Sequence, residues 1–361
     1  MQTRPDGIEV VGSAADATGL DLAPLLILDN LTDYLDGCGL GSGPISWHRV
    51  GDGQSNITYK IVRGTDAFVL RRGPRPPHPP STHDMVREAT VQQILRPCGV
   101  AAPEILSVCD DDAVLGVPFY VMAWLDGVVI TDTVPPALDT PDERRRTSTE
   151  LVRALAELHA VDVTAGPAST LGRPTGYLER QVRRFTQLWD LNASRDLPGI
   201  AETAAWLDDN RPPSQAVSVV HGDYRLGNVM FDAHAPAGVL AILDWELATL
   251  GDPLADLGYL TATYTDPDSR SIPLHLSPVT AGSGYLRSDE LVRVYAEHSG
   301  LDLTGLAWYQ TLALWKAAIF CEAIYTRWLK GERPGDTTFG PSLEAGVPAL
   351  LEEAQVYRRH I

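Results

Sequence analysis

The chain is poor in cysteine, in basic residues and in long unbroken apolar stretches, and each shortage removes a class of protein. Its four cysteines, Cys38, Cys98, Cys109 and Cys321, are scattered and show no Cys-x-x-C spacing. That argues against a disulfide scaffold or a thiolate zinc site and for buried thiols in a reducing compartment. Lys and Arg number 29 against 47 Asp and Glu, for a formal net charge of −18. With no basic stripe to offset that charge, no nucleic-acid partner is expected. No uncharged apolar run approaches the length of a membrane span, so no membrane partner is expected either. Around Arg4, Asp6 and Glu9 there is no apolar segment of the kind a signal peptide needs. The expected setting is cytoplasmic. A dinucleotide glycine fingerprint is missing, which makes redox catalysis by this chain improbable, and there is no internal repeat.

What remains is ordinary in bulk and specific in detail. A length of 361 residues, 44% hydrophobic and 21% charged, suffices for two lobes with their own cores. The informative stretch runs from residue 217 to 257. An apolar run, Val217, Val219 and Val220, reads as a buried strand and ends at His221-Gly222-Asp223. Asn228 follows five residues after Asp223 and opens a second strand to Phe231; a third, Val239 to Leu243, ends at Asp244. Paired as a hairpin, the last two strands bring Asn228 and Asp244 to neighbouring ends, with Asp223 on the loop just before. Oxygen donors of this kind suit Mg²⁺, which takes only one or two protein carboxylates beside phosphate oxygens and water. Any one of these Asp residues alone would also serve as a turn residue at a strand end. The ordered set matches the kinase plan of a catalytic loop followed by a metal-binding Asp.

His-Gly-Asp-x-x-x-x-Asn followed by Leu-Asp-Trp-Glu resembles the aminoglycoside phosphotransferase and choline kinase family, whose fold is similar to that of protein kinases. The longer string from Leu243 to Leu257 is closest to a branch often fused to, or encoded beside, acyl-CoA dehydrogenases. The resemblance implies an α+β, protein-kinase-like two-lobe fold with a small antiparallel-sheet N-lobe and a mainly helical C-lobe. It also implies ATP lying between the lobes with Mg²⁺ on Asn228 and Asp244. Asp223 is then the base for an acceptor hydroxyl, His221 a brace or catalytic neighbour, and Arg225 a group beside the transferring phosphoryl. Only eleven residues separate Asp244 from Asp256, too few for a protein kinase activation segment, so a small-molecule acceptor is expected. Asp256 resembles the buried aspartate that holds the catalytic-loop backbone in this fold; a first-turn Asp favoured by the helix dipole would occupy the same place.

The N-terminal half is read against the same pattern. Residues 1–20 are expected to be a flexible tail, 21–125 the nucleotide-binding lobe and 126–361 the catalytic and acceptor-binding lobe. Asp21 is positioned to cap a helix from Leu22 to Leu35. Strands Ile45 to Val50 and Ile57 to Val62 flank Gly51, Gly53, Ser55 and Asn56, a Gly-x-Gly-x-x-Asn shaped like a kinase phosphate-covering loop and, alone, a plain hairpin turn. Strand Ala67 to Arg71 carries Arg71 where the family has a phosphate-binding Lys, with Arg72 and Lys60 as substitutes. A helix capped by Ser81 or Thr82 presents Glu88 as the anchor of that cation. Strands Ile105 to Val108 and Val117 to Met122 complete a five-stranded sheet, and the backbone of Met122, Ala123 and Trp124 is the expected adenine hinge. Helices are expected over roughly 141–160, 177–190, 199–209, 253–263, 289–298, 304–329 and 342–358, the longest a core helix interrupted by Lys316 and Glu322.

The acceptor is the least determined feature. Basic residues Arg180, Arg183 and Arg184, followed by Phe185 and Trp189, and Arg327 with Lys330, either face the acceptor side or are solvated helix faces. Facing it, they fit an anionic, partly apolar acceptor such as a hydroxyacyl compound, in line with the branch's association with acyl-CoA dehydrogenases. A polycationic aminoglycoside or a choline-like cation is the rival acceptor. A nucleotide-binding pseudoenzyme that regulates a partner is the rival class, motivated by Asn56 and Arg71.

Overall fold

A computed structural model describes residues 2–4, 7–51, 56–76, 83–333 and 335–360. The chain divides into two compact units, Met1–Asp126 with Asp244–Glu246, and Gly127–Leu243 with Leu247–Ile361. The first contains β1 (Gln2–Arg4), β2 (Gly7–Val11), α1 (Ala14–Ala17), β3 (Leu26–Ile27) and α2 (Leu28–Gly37). Then come β4 (Ile45–Arg49), β5 (Ile57–Arg63), β6 (Asp66–Arg72), α3 (Met85–Leu95), β7 (Ile105–Cys109), α4 (Asp112–Leu115) and β8 (Phe119–Ala123).

Strands β4 to β8 form the expected five-stranded antiparallel sheet, in the order β4-β5-β6-β8-β7. Two-residue alternation splits β6 between two cores. Phe68 and Leu70 join Tyr59, Ile61, Phe119 and Val121 against Leu31 and Leu35 of α2. Val69 joins Tyr120 and Met122 against Met85 and Ala89 of α3. Arg72 therefore belongs to the first face and Arg71 to the second.

Three expectations are corrected here. Residues 7–20 are not a loose tail: Val10 and Val11 are buried, and β2 pairs in parallel with β3, a non-local contact that leaves no periodic signal. That pairing takes Leu26 and Ile27, so α2 begins at Leu28 rather than Leu22. Helix α3 is capped by Asp84, whose carboxylate accepts the Arg87 N–H at 2.9 Å; Ser81 and Thr82 lie outside the described residues.

The second unit contains β9 (Gly127–Val129), α5 (Pro141–His159), α6 (Tyr177–Asn192), α7 (Pro198–Asp209) and β10 (Ser218–Val220). It continues with β11 (Val229–Asp232), β12 (Val239–Ile242), β13 (Thr249–Gly251), α8 (Leu254–Thr263), α9 (Ser288–Ser299), α10 (Leu306–Leu329) and α11 (Phe339–Arg358). The hairpin β11–β12 forms as expected, with Val229 opposite Ile242, and short β9 adds to its edge. A second short pair joins β10 to β13. The core helix is α10, whose Trp308, Leu314 and Trp315 are almost fully buried. Among the described residues no helix is long and apolar enough to cross a membrane.

Candidate active site

The His-Gly-Asp loop follows β10 and is fixed from beneath by Asp256 on α8. Its carboxylate accepts the His221 N–H at 2.6 Å and the Gly222 N–H at 2.8 Å. Burial alone would push the Asp256 carboxyl up, but the hydrogen bond from His159 and the Gly222 N–H outweigh it and hold it below the usual carboxylate range. His159 reaches Asp256 through Nε2 at 3.2 Å, while its Nδ1 meets the Tyr295 hydroxyl at 2.7 Å. Gly222 has φ 90°, and a Cβ there would lie 2.8 Å from the Leu247 Cβ, so the turn requires glycine.

His221 is fully buried. Its Nε2 donates to the Leu243 carbonyl at 2.9 Å, and its Nδ1 accepts the Asp223 N–H at 3.3 Å. A carbonyl only accepts and an amide N–H only donates, so both ring nitrogens are committed to bracing the loop. Of the two roles left open for His221, brace and catalytic neighbour, these contacts are those of a brace.

Asp223 itself is partly open, with its side chain 27% exposed. The Asn228 amide nitrogen donates to its backbone oxygen and to its Oδ2, both at 2.8 Å. Arg225 Nε stands 3.7 Å from Oδ1, a loose ion pair that holds a cation beside the carboxylate. Burial, reinforced by the Asp223 charge, raises the Tyr259 phenol well above its usual range. At the far end of the loop the Leu243 N–H bonds the Asn228 carbonyl at 2.8 Å, which sets Asn228 level with the residue before Asp244.

In the first unit, Asp244 adopts φ 67°, a left-handed conformation that Asp tolerates better than most residues and that marks stored strain. Its Oδ1 pairs with Arg71 Nη2 at 2.6 Å. Arg71 Nε lies 3.0 Å from Glu88 Oε1, and Glu88 is 1% exposed. Burial works against the Arg71 charge, but Glu88, Tyr120 and Asp244 outweigh it, and its pKa is raised. Burial also raises the Glu88 carboxyl, with Arg71 opposing.

The substitutes are disposed of by their own contacts. Arg72 bonds the Gly73 and Leu115 carbonyls at 3.0 and 3.2 Å, and the Leu25 carbonyl as well. Lys60 places Nζ 3.7 Å from the centroid of the Trp124 ring. Arg71 is the cation joined to the α3 glutamate.

Of the expected phosphate cover, Gly53 and Ser55 lie outside the described residues. Gly51 takes φ 71° with open space where a Cβ would go, so it is needed for the turn alone. Asn56 is corrected. It does not use a left-handed backbone but is a buried tether, its Nδ2 on Glu246 Oε2 at 3.0 Å and its Oδ1 2.9 Å from His83 Nδ1. At the expected hinge, the Ala123 N–H is already given to the Glu104 carbonyl at 2.8 Å, which narrows what Ala123 can offer to its oxygen. Met122 is buried in the sheet, and Trp124 is half-buried beneath Lys60.

The basic residues expected on the acceptor side separate clearly. Arg180 turns back onto the carbonyls of Arg173 and Thr175. Arg183 pairs with Glu179 at 3.8 Å, and Arg327 with Glu332 at 3.1 Å. Arg184 and Lys330 are exposed, and Trp189 is half-buried. Phe185 is buried and meets Phe320 edge-on at 5.1 Å. Lys316 lies over Phe185, its Nζ 4.7 Å from the ring centroid. Glu246, His159, Tyr259 and Lys316 were not singled out from sequence as site residues. Lys316 had left a signal, a lone cation in the apolar middle of α10.

Among the described residues no cluster of three or more His, Cys, Asp or Glu side chains forms that would hold a metal by itself. Taken separately, Asn228 and Asp244 each offer a hard oxygen of the kind that Mg²⁺ delivered with phosphate accepts. Asn228 spends its amide nitrogen on Asp223, leaving Oδ1 for a cation, and Asp244 spends one oxygen on Arg71, leaving Oδ2.

Comparison with known proteins identifies the family. The model of the phosphotransferase enzyme family called APH matches residues 46–301. Acyl-CoA dehydrogenase family member 11 of Gallus gallus is 35% identical over 303 residues, covering 82% of this chain but only 38% of that protein. The chain thus spans well under half the length of this relative. A crystal structure from Ralstonia eutropha, classed as an aminoglycoside phosphotransferase, is 28% identical with TM-score 0.74, covering 91% of this chain and 98% of that one. A thermostable mutant aminoglycoside phosphotransferase in ternary complex with AMP-PNP and hygromycin B shares the fold at 14% identity and TM-score 0.55, covering 90% and 98%. With its kinase-like α+β fold, the chain belongs to the phosphotransferase enzyme family that includes the aminoglycoside phosphotransferases.

Proposed function

We propose that the protein is an ATP- and Mg²⁺-dependent phosphotransferase that moves the γ-phosphoryl group to a hydroxyl of a small molecule. The observation that carries this reading is the built loop around Asp223: backbone pinned by Asp256, carboxylate held by Asn228, cation Arg225 alongside. Asp223 accepts the proton of the acceptor hydroxyl as that oxygen bonds to the γ-phosphorus and the bond to the bridging oxygen of ADP breaks. General-base help of this kind is worth roughly 10²–10⁴-fold, and positioning with charge neutralisation supplies most of the rest. Arg71, fixed by Glu88, holds nucleotide phosphates. Asn228 and Asp244 are the candidate metal ligands, and the ion, bound with ATP, neutralises phosphate charge. The ternary complex of a fold relative with AMP-PNP supports an adenine nucleotide.

For the acceptor, a hydroxyacyl compound is favoured over an aminoglycoside or choline, and a functional link to an acyl-CoA dehydrogenase goes with it. The name of the chicken relative supports that choice. A coupled assay of ADP release across hydroxyacyl-CoAs, hydroxy acids, aminoglycosides and choline tests it. Highest kcat/KM is expected with a hydroxyacyl compound, and a kanamycin-type polycation in first place would overturn the acceptor assignment.

A further inference from the structure

The middle of α10 contains two charged residues, and they are treated differently by the fold. Glu322 is fully buried and fully answered: Arg195 Nε reaches its Oε2 at 3.0 Å and the Ser194 hydroxyl its Oε1 at 3.1 Å. The side chain of Lys316, six positions earlier, has no carboxylate partner and no hydrogen bond among the described residues; its Nζ lies over the face of Phe185. A cation over an aromatic ring recovers only part of the hydration it gives up. Burial pushes the Lys316 amine down to about 8, with Asp256 and Asp223 opposing and Arg184 adding to the fall. Lys316 thus feels the charge of the carboxylate assigned as base. One turn along α10, Phe320 packs against Phe185 yet stays 47% exposed, so an open apolar surface adjoins the charge.

We infer that Lys316 reads the acceptor, by receiving an anionic group on a molecule whose apolar part lies against Phe320. This rests on the reading of Asp223 as the base of a phosphotransferase. The argument is one of compensation. Where this fold buries a charge for structural reasons it supplies bonded partners, the Arg195 guanidinium for Glu322 and backbone carbonyls for Arg72, and the Lys316 ammonium is left to be answered from solution. A carboxylate or a phosphate would serve, since both present paired anionic oxygens to an ammonium. A cationic acceptor would be repelled by the same ammonium.

The test compares the unaltered protein with Lys316→Met, which keeps the stem and removes the charge, and with Lys316→Arg. Titration calorimetry without nucleotide uses three probes of matched chain length: hydroxy fatty acids, their CoA thioesters and neutral diols. A carboxylate reader favours the free acids, and a phosphate reader favours the thioesters. Either anionic series is expected to bind the unaltered protein more tightly than the diols. Lys316→Met should weaken that binding by about 10- to 100-fold, the factor for one charge-assisted hydrogen bond. Lys316→Arg should recover most of the loss. Thermal unfolding of Lys316→Met should be unchanged or higher, because an unanswered charge is gone; a merely structural lysine would lower it.

Equal binding of anionic and neutral probes by the unaltered protein, or unchanged binding in Lys316→Met, overturns the inference. So does a loss confined to Mg·ATP affinity, which would assign Lys316 to the nucleotide. Failure of the phosphotransfer reading shows separately, as absence of Mg·ATP binding while the acceptor titrations keep their outcome.

Discussion

Two half-buried cations, Arg71 in the first unit and Lys316 in the second, mark two ways of using a positive charge. Arg71 is answered twice, by Glu88 at 3.0 Å and by Asp244 at 2.6 Å, and is fixed in direction before any ligand arrives. Lys316 rests on an aromatic face with no counter-charge bonded to it among the described residues. The first arrangement buys pre-organisation, since its removal leaves a buried carboxylate unpaired. The second keeps attraction in reserve for a ligand. Substitution should therefore damage stability at Arg71 and spare it at Lys316.

The sharpest break in that contrast is Arg71→Ala. It leaves Glu88 buried without its cation, and loss of one partner of such a pair costs about 3–5 kcal/mol. Urea unfolding should register the drop, and ATP affinity should fall with it. Unchanged ATP affinity would deny Arg71 its phosphate-binding role despite its contacts.

Next in size is Asp256→Ala, which orphans the His221 and Gly222 N–H groups, each worth about 1–3 kcal/mol when left unsatisfied. The pH dependence has a definite sign. The folded-state pKa of Asp256 is lowered, so its contribution is present above the unfolded carboxylate value and lost as pH falls through the folded value. Melting curves of the unaltered protein and Asp256→Asn should converge as pH drops into that acid range. A gap that stays constant there would mean the carboxylate charge is not what holds the loop.

Smaller effects are expected at the candidate metal ligands, which contribute oxygens to a shared ion. Asn228→Ala and Asp244→Ala should each weaken Mg²⁺-dependent nucleotide binding, Asp244 more because a charge is lost. ATP stabilisation that proves independent of Mg²⁺ in the unaltered protein would contradict both assignments. The mildest change is Tyr259→Phe beside Asp223, which removes a phenol without touching charge. Turnover should change only a few-fold, and a loss as deep as that of an Asp223 variant would move Tyr259 into the chemistry.

The division between what the sequence disclosed and what it hid follows the range of the contacts. Arg71 was legible because strand alternation is local: one position shared with Val69 chooses its face. The hairpin bringing Asn228 level with Leu243 was legible for the same reason, two short apolar strands joined by a turn. Asp256 was foreseen only through family resemblance, and its bonds to the His221 and Gly222 N–H groups span more than thirty residues. Asn56 misled because its residue type fits a tight turn, whereas its partner Glu246 lies 190 positions away. The pairing of β2 with two-residue β3 left no pattern at all. Lys316 was visible as an interruption of α10, but periodicity assigned the helix to the core without saying that the charge would go unanswered.

The central claim, that Asp223 is the base of a phosphotransferase and not a nucleotide ligand, has one direct test in Asp223→Asn. Mg·ATP affinity by isothermal titration should stay within a few-fold of the unaltered protein. Single-turnover transfer to the best acceptor should fall at least about a hundredfold, the lower end of what a general base contributes. Loss of nucleotide affinity with turnover preserved would contradict the account.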